Sequence, residues 1–138
     1  MPSISTSISP SLAVRKSAQA VEFYKTAFGA SESFRLEDPD GNVVAKLALG
    51  GAEFWVAEES PQHANFSPET LGGGTVRMVM VVEDPDVVFA RAVAAGAKVI
   101  HAVGEDHGWR LGRVVDPFGH HWEIGKPLPG WPETTPEQ

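Results

Sequence analysis

At 138 residues, with 42% apolar and 21% charged side chains, the chain suits one folded domain and excludes disorder and collagen-like repeats. A formal net charge of −7 without a dense basic cluster argues against nucleic acid, whose phosphate backbone requires Lys and Arg gathered on one face. The absence of cysteine excludes disulfides, thiolate metal sites and a cysteine nucleophile; residues 1–8 hold no basic segment followed by a long apolar run, so the expectation is a cytoplasmic protein with neither secretory signal nor membrane partner.

The first predicted strand covers 8–14. Ser17 then reads as an N-cap, and Val21, Tyr24 and Phe28 recur at helical spacing on one face. Gly29 closes that helix, because the left-handed backbone after a helix costs least without a Cβ. Three extended runs follow at 31–37, 43–49 and 52–57, joined by Asp38-Pro39-Asp40-Gly41 and by Gly50-Gly51. Residues 58–74, rich in Pro, Gly, Ser and Asn, read as a linker, with a lid as a further role.

The pattern then repeats. A strand at 75–83 leads to Asp84 as cap and Pro85 at the first helical position, where its missing N–H costs nothing, and the helix closes at Gly96. Further runs fall at 98–103, 111–115 and 120–125, the last two joined by the hairpin Asp116-Pro117-Phe118-Gly119. The result is an α+β chain of two βαβββ modules, 8–57 and 75–126, with a Pro-rich tail at 127–138.

Particular pieces carry a family likeness by their order and spacing: Ala20-Val21-Glu22-Phe23-Tyr24-Lys25 with Phe28-Gly29-Ala30, then Val82-Glu83-Asp84-Pro85-Asp86, then Ala94-Ala95-Gly96-Ala97, and last the stretch from Gly108-Trp109-Arg110 through Gly112-Arg113 to His120. They resemble the vicinal oxygen chelate superfamily of glyoxalase, bleomycin-resistance and extradiol-dioxygenase proteins, in its PhnB-like branch. The resemblance implies a single domain with a cupped mixed sheet from each half, a helix on each convex face, a ligand cavity on the concave side, and a homodimer. Because successive side chains of a strand point to opposite sides, Arg77, Val79 and Val81 share one face, as do Glu53, Trp55 and Ala57, and His121 and Glu123; the more apolar alternatives, Trp122 and Ile124 among them, are expected to face the helices.

Metal-dependent members of the superfamily hold a divalent cation on the first and last strands of each half, and the corresponding positions here are Ser9, Trp55, Arg77 and Glu123. Only Glu123 is a competent ligand, since a guanidinium stays protonated and has no lone pair, an indole cannot coordinate, and a serine hydroxyl is a poor transition-metal ligand. No cofactor is therefore expected. If a divalent metal is bound, Glu123 and His121 are its first candidates, with His101, His107 or His63 completing the set only if loops bring them in. An isolated buried carboxylate is costly, so an Arg77–Glu123 ion pair is expected at the old metal position, either as a purely structural pair or with a free guanidinium edge for a ligand oxygen.

Trp55, Trp109 in its Gly-Trp-Arg loop, and Phe34 offer flat apolar surface to a planar ligand, or else pack between halves or across a dimer; Trp122 and Phe23 are assigned to the core, and His120 to the flank of the hairpin. Three classes of function follow. The first is a metal-free binding protein for a planar or anionic small molecule, with Trp55, Arg77, Trp109, His121 and Glu123 as ligand-binding residues. The second is a lyase, isomerase or dioxygenase with rebuilt metal ligands, or a metal-free acid–base catalyst using Glu123 or His121. The third is an interaction module without a ligand, its cavity plugged by Trp55.

Overall fold

Alternation along short strands and one capped helix shape each repeat. The computed structural model describes residues 3–132, so the last six residues of the expected tail lie outside the described residues. The chain divides into two units, Met1–Gly74 and Thr75–Gln138, and each contains one βαβββ module. Among the described residues no helix is long and apolar enough to cross a membrane.

In the first unit, β1 (Ser11–Val14), α1 (Ser17–Phe28), β2 (Ser31–Glu37), β3 (Val43–Leu49) and β4 (Ala52–Glu58) form a sheet of order β1-β4-β3-β2. β1 runs parallel to β4, and the other neighbours are antiparallel. Leu12, Val14, Val43, Ala45, Leu47, Phe54 and Val56 are the buried alternates of their strands, and Val21, Tyr24 and Phe28 are the buried face of α1. The Tyr24 ring meets Phe54 edge-on at 5.5 Å, which joins helix to sheet. Phe23, assigned to the core, is buried. β1 begins only at Ser11, so Ser9 precedes the strand; Pro10 has no N–H to give a ladder and serves only as acceptor, from the Trp55 N–H at 2.8 Å.

Two expectations for this unit are corrected. Ser17 is the first residue of α1 and not its cap; Lys16 occupies the cap position with φ 60° and gives no side-chain bond. The Glu58 carboxylate takes over that task, accepting from the N–H groups of Lys16 at 3.2 Å and Ser17 at 2.9 Å. Negative charge suits the positive end of the helix dipole, and the Ser17 hydroxyl, donating to Glu58 at 2.7 Å and accepting from Val43 N–H at 2.9 Å, ties helix to sheet. Glu58 thus closes β4, where a linker was expected to begin.

The linker also has structure of its own: a 3-10 turn at Pro61–His63 and a short helix, α2 (Pro68–Leu71), capped by Ser67. Glu59 organises it. Its carboxylate accepts from Ser67 N–H at 2.9 Å and from the Thr70 hydroxyl at 2.7 Å, and the Arg15 guanidinium lies 3.2 Å away. Those bonds hold the Glu59 carboxyl down at about 2 against an ordinary 4.5.

In the second unit, β5 (Arg77–Val81), α3 (Pro85–Ala95), β6 (Lys98–Asp106), β7 (Trp109–Val115) and β8 (His121–Pro127) form a sheet of order β5-β8-β7-β6, again with one parallel pair, β5 with β8. Asp84 caps α3 as expected, accepting from Val87 N–H at 3.3 Å. Gly29 and Gly96 both take positive φ, 73° and 124°, at the helix ends. Trp109, expected in a loop, lies on β7. His107 and Gly108 form a two-residue turn with φ 52° and 82°, the doubly positive geometry that lets both strands run to the turn itself.

Arg110, Gly112 and Val114 form the face of β7 that meets α3. Arg110 clamps the helix start with two bonds to Asp86, at 2.7 and 2.6 Å. Gly112 leaves room for Phe89 of α3: a Cβ there would lie 2.7 Å from the Phe89 ring and 2.8 Å from Val103. Trp122, buried as expected, and Ile124 complete this face from β8.

Two outcomes test this packing. Gly112→Val should lower the stability of the chain by about 1–3 kcal/mol in urea unfolding, the usual cost of overfilling a packed contact. For Glu59, a depressed carboxyl adds stability that is complete above its unfolded value near 4.5 and lost as pH falls toward 2. The protection of the Ser67 and Thr70 amides, taken relative to their intrinsic exchange rates, should therefore fall across that interval in the native chain, and the Glu59→Gln variant should show low protection throughout.

Candidate functional site

The β8 strand gives the site its chemistry. With Trp122 and Ile124 turned to α3, His121 and Glu123 must stand on the opposite, open face. Register sets their neighbours. β5 brings Arg77 opposite His121 and Val79 opposite Glu123, while β7 brings Val115 opposite His121 and Arg113 opposite Glu123. Two arginines thus flank β8 from either side, on strands roughly 10 Å apart by ordinary sheet spacing.

The expected pairing of Arg77 with Glu123 is formed: Arg77 Nε lies 3.0 Å from Glu123 Oε2, with the arginine side chain 48% exposed and the carboxylate 18%. Arg113 turns to the histidine instead, donating from Nε to His121 Nδ1 at 3.1 Å. A guanidinium can only donate, so Nδ1 presents its lone pair, and in the neutral ring the proton sits on Nε2. Burial pushes the His121 imidazole below its ordinary 6.5, and the positive charges of Arg113 and Arg77 add to the shift while Asp116 opposes it. Two guanidinium groups, one carboxylate and one neutral imidazole therefore give this group of four side chains one net positive charge in a chain whose formal charge is −7.

Arg113 was missed by sequence reasoning, though a signal was present. Counting outward from the Asp116–Gly119 hairpin pairs Val115 with His121 and so Arg113 with Glu123. The other expected residues are distributed. Trp109 shares the Arg113 face of β7 but stands four residues away, roughly 13 Å along the strand, and packs edge-on against Trp131 at 5.6 Å. Trp55 belongs to the open face of the first sheet, with Phe34 edge-on at 5.8 Å and the Lys46 ammonium 5.2 Å above its ring. Leu36 and Val44 extend that face and are exposed.

Of the remaining histidines, His63 is bonded to the Ser60 hydroxyl at 2.7 Å, and His107 sits beside Asp106 at 3.0 Å in the β6–β7 turn. His101 lies opposite Arg113 on β6. His120, at the hairpin, gives its N–H to Asp116 at 3.0 Å. Among the described residues no three His, Asp or Glu side chains gather closely enough to hold a metal ion. The candidate pair does not fit a divalent cation as it stands, since Glu123 is engaged by a guanidinium, His121 Nδ1 is engaged by another, and His121 Nε2 bears a proton. A recess of about 570 Å³ in the first unit, lined by Leu36, Val44, Glu37, Asp38, Glu58 and Glu59, has the opposite sign of charge.

Residues 11–125 match the glyoxalase-like domain family. The uncharacterized protein Rv0887c of Mycobacterium tuberculosis is 40% identical over 131 residues, spanning 91% of this chain and 76% of the relative. The X-ray structure of the At5g48480 gene product of Arabidopsis thaliana superposes with a TM-score of 0.70 at 31% identity, over 89% of this chain and 100% of that one. The crystal structure of a glyoxalase/bleomycin resistance protein/dioxygenase family enzyme from Burkholderia phytofirmans PsJN shares the fold, with a TM-score of 0.67 at 20% identity over 87% and 98% of the two chains.

The electrostatics of His121 give a direct test. In an NMR titration its ring should protonate below 6.5, and in Arg113→Ala that midpoint should move up, because a nearby positive charge is gone and the Nδ1 lone pair is released. A midpoint that stays where it was would mean that Arg113 does not touch His121 in solution. A depressed histidine contributes stability that is present above its unfolded value and declines as pH falls through the folded one, so the native chain should lose stability below about pH 6.5 more steeply than His121→Gln.

Proposed function

The chain belongs to the glyoxalase-like domain family, and we propose that it binds a small organic anion on the open face of the β5-β8-β7-β6 sheet, without a divalent metal. One observation carries this reading: the terminal nitrogens of Arg113 meet no carboxylate among the described residues, while Arg77, half exposed, spends only one edge on Glu123. A guanidinium edge directed at a carboxylate or similar oxyanion forms a charge-assisted bond stronger than a neutral one. Beside the arginines, Val79 and Val81 on β5 are each 59% exposed and offer an apolar shelf. The ligand that fits is therefore one with an anionic head and a planar or apolar body.

The competing reading is an enzyme that binds a metal through Glu123 and His121. It requires Arg113 to release His121, a cation to settle beside the Arg77 guanidinium on Glu123, and two further ligands besides. Metal-free base catalysis by His121 meets a similar obstacle, since Arg113 occupies the only lone pair of the neutral ring.

Benzoate, a planar carboxylate, is a suitable probe. Titration calorimetry should detect binding to the native chain, and Arg77→Ala or Arg113→Ala should each weaken it about 10- to 100-fold, as loss of a charge-assisted bond of about 1.5–3 kcal/mol requires. Metal analysis of protein prepared without chelator or affinity tag is the counterpart. Stoichiometric metal that disappears in Glu123→Gln would overturn the metal-free reading.

A further inference from the structure

The charge of the group formed by Arg77, Arg113, His121 and Glu123 restricts which anions suit it. Arg77 and Arg113 contribute two positive charges, Glu123 removes one, and His121 is committed as a neutral ring by the bond that its Nδ1 accepts from Arg113 at 3.1 Å. Resting on the anion-binding reading above, we propose that this set selects a singly charged carboxylate over a doubly charged phosphate ester.

The reason lies in how two energies scale. Attraction between a ligand and the net charge of its site grows in proportion to the ligand charge, whereas the cost of taking an ion out of water grows with the square of that charge. A site with one uncompensated positive charge therefore neutralises a monoanion and leaves the second charge of a dianion without a partner. His121 cannot supply the missing proton cheaply, because a ring protonated at Nδ1 turns a donor toward the Arg113 Nε–H that now feeds it. The shape of the donor set agrees. The arginine edges and the His121 Nε2–H are donors, whereas the Glu123 carboxylate beside them is an acceptor with no proton to offer a further phosphate oxygen.

Glu123 thus acts as the selecting residue: it subtracts the charge that would make the face a phosphate site. Calorimetry on the full chain at about pH 7.5 tests this with benzoate and with phenyl phosphate, a dianion there because the second pKa of a phosphate monoester is about 6. Benzoate should bind about tenfold more tightly than phenyl phosphate. In Glu123→Gln, whose amide oxygen still accepts from Arg77, the site gains one net positive charge, and phenyl phosphate should gain about tenfold while benzoate changes less. If phenyl phosphate binds the native chain as tightly as benzoate or more so, the selection is wrong although the anion site stands. If neither binds, the anion-binding reading falls and the selection with it. Should Glu123→Gln fail to fold, the comparison on the native chain decides alone.

Discussion

The carboxylate of Asp116, only 3% exposed, holds the turn between β7 and β8: one oxygen accepts from the N–H groups of Phe118 at 2.9 Å and His120 at 3.0 Å, and the other from the Trp122 indole at 2.9 Å. A buried carboxylate is tolerable when hydrogen bonds of this kind replace water. Here those bonds also pin the hairpin register. Because side chains alternate, a slip of one residue would send His121 and Glu123 under the helix and bring Trp122 out. The whole charged face of the second unit depends on that turn.

From the register follows a division of labour among the arginines. Arg110 and Arg113 are three residues apart on β7, so they project to opposite sides. Arg110 is used structurally, gripping Asp86 at the start of α3. Arg113 faces the open side, where its only bonded partner among the described residues is a neutral imidazole. The first unit handles its helix differently. There Glu58, at the end of β4, caps α1, and Glu59, one residue on and therefore on the other side of the chain, secures the connecting segment through Ser67, Thr70 and Arg15. In both units adjacent or nearly adjacent charges serve separate purposes because the backbone turns them apart.

The open faces of the two sheets differ in chemical character. In the first unit Phe34, Leu36, Val44 and Trp55 make an aromatic and aliphatic surface with Lys46 over the indole. In the second, Arg77, Arg113, His121 and Glu123 make a polar one, flanked by Val79 and Val81. On the second sheet Arg77 and Glu123 form a guanidinium–carboxylate pair, and a guanidinium edge pairs with oxyanions through hydrogen bonds where a bound cation would polarise them.

Much of this was legible in the sequence alone. The helix-closing glycines, the Asp84-Pro85 start and the Asp116-Pro117-Phe118-Gly119 turn are local signals with local physical causes, and with the order of motifs they determined two βαβββ modules and the glyoxalase-like family. Alternation likewise placed His121 and Glu123 on one face of their strand, and the family resemblance set Arg77 beside Glu123. What tertiary structure alone decided was which groups meet across strands and between segments. That the cap of α1 comes from Glu58 and not from Ser17 depends on a contact across more than forty residues, which no local preference encodes. The strand position of Trp109 came from a turn in which His107, not a glycine, accepts positive φ. The partnership of Arg113 with His121 required β7 and β8 to be docked in register, because a side chain four or more residues from its partner in sequence finds it only when the backbone has brought the two together.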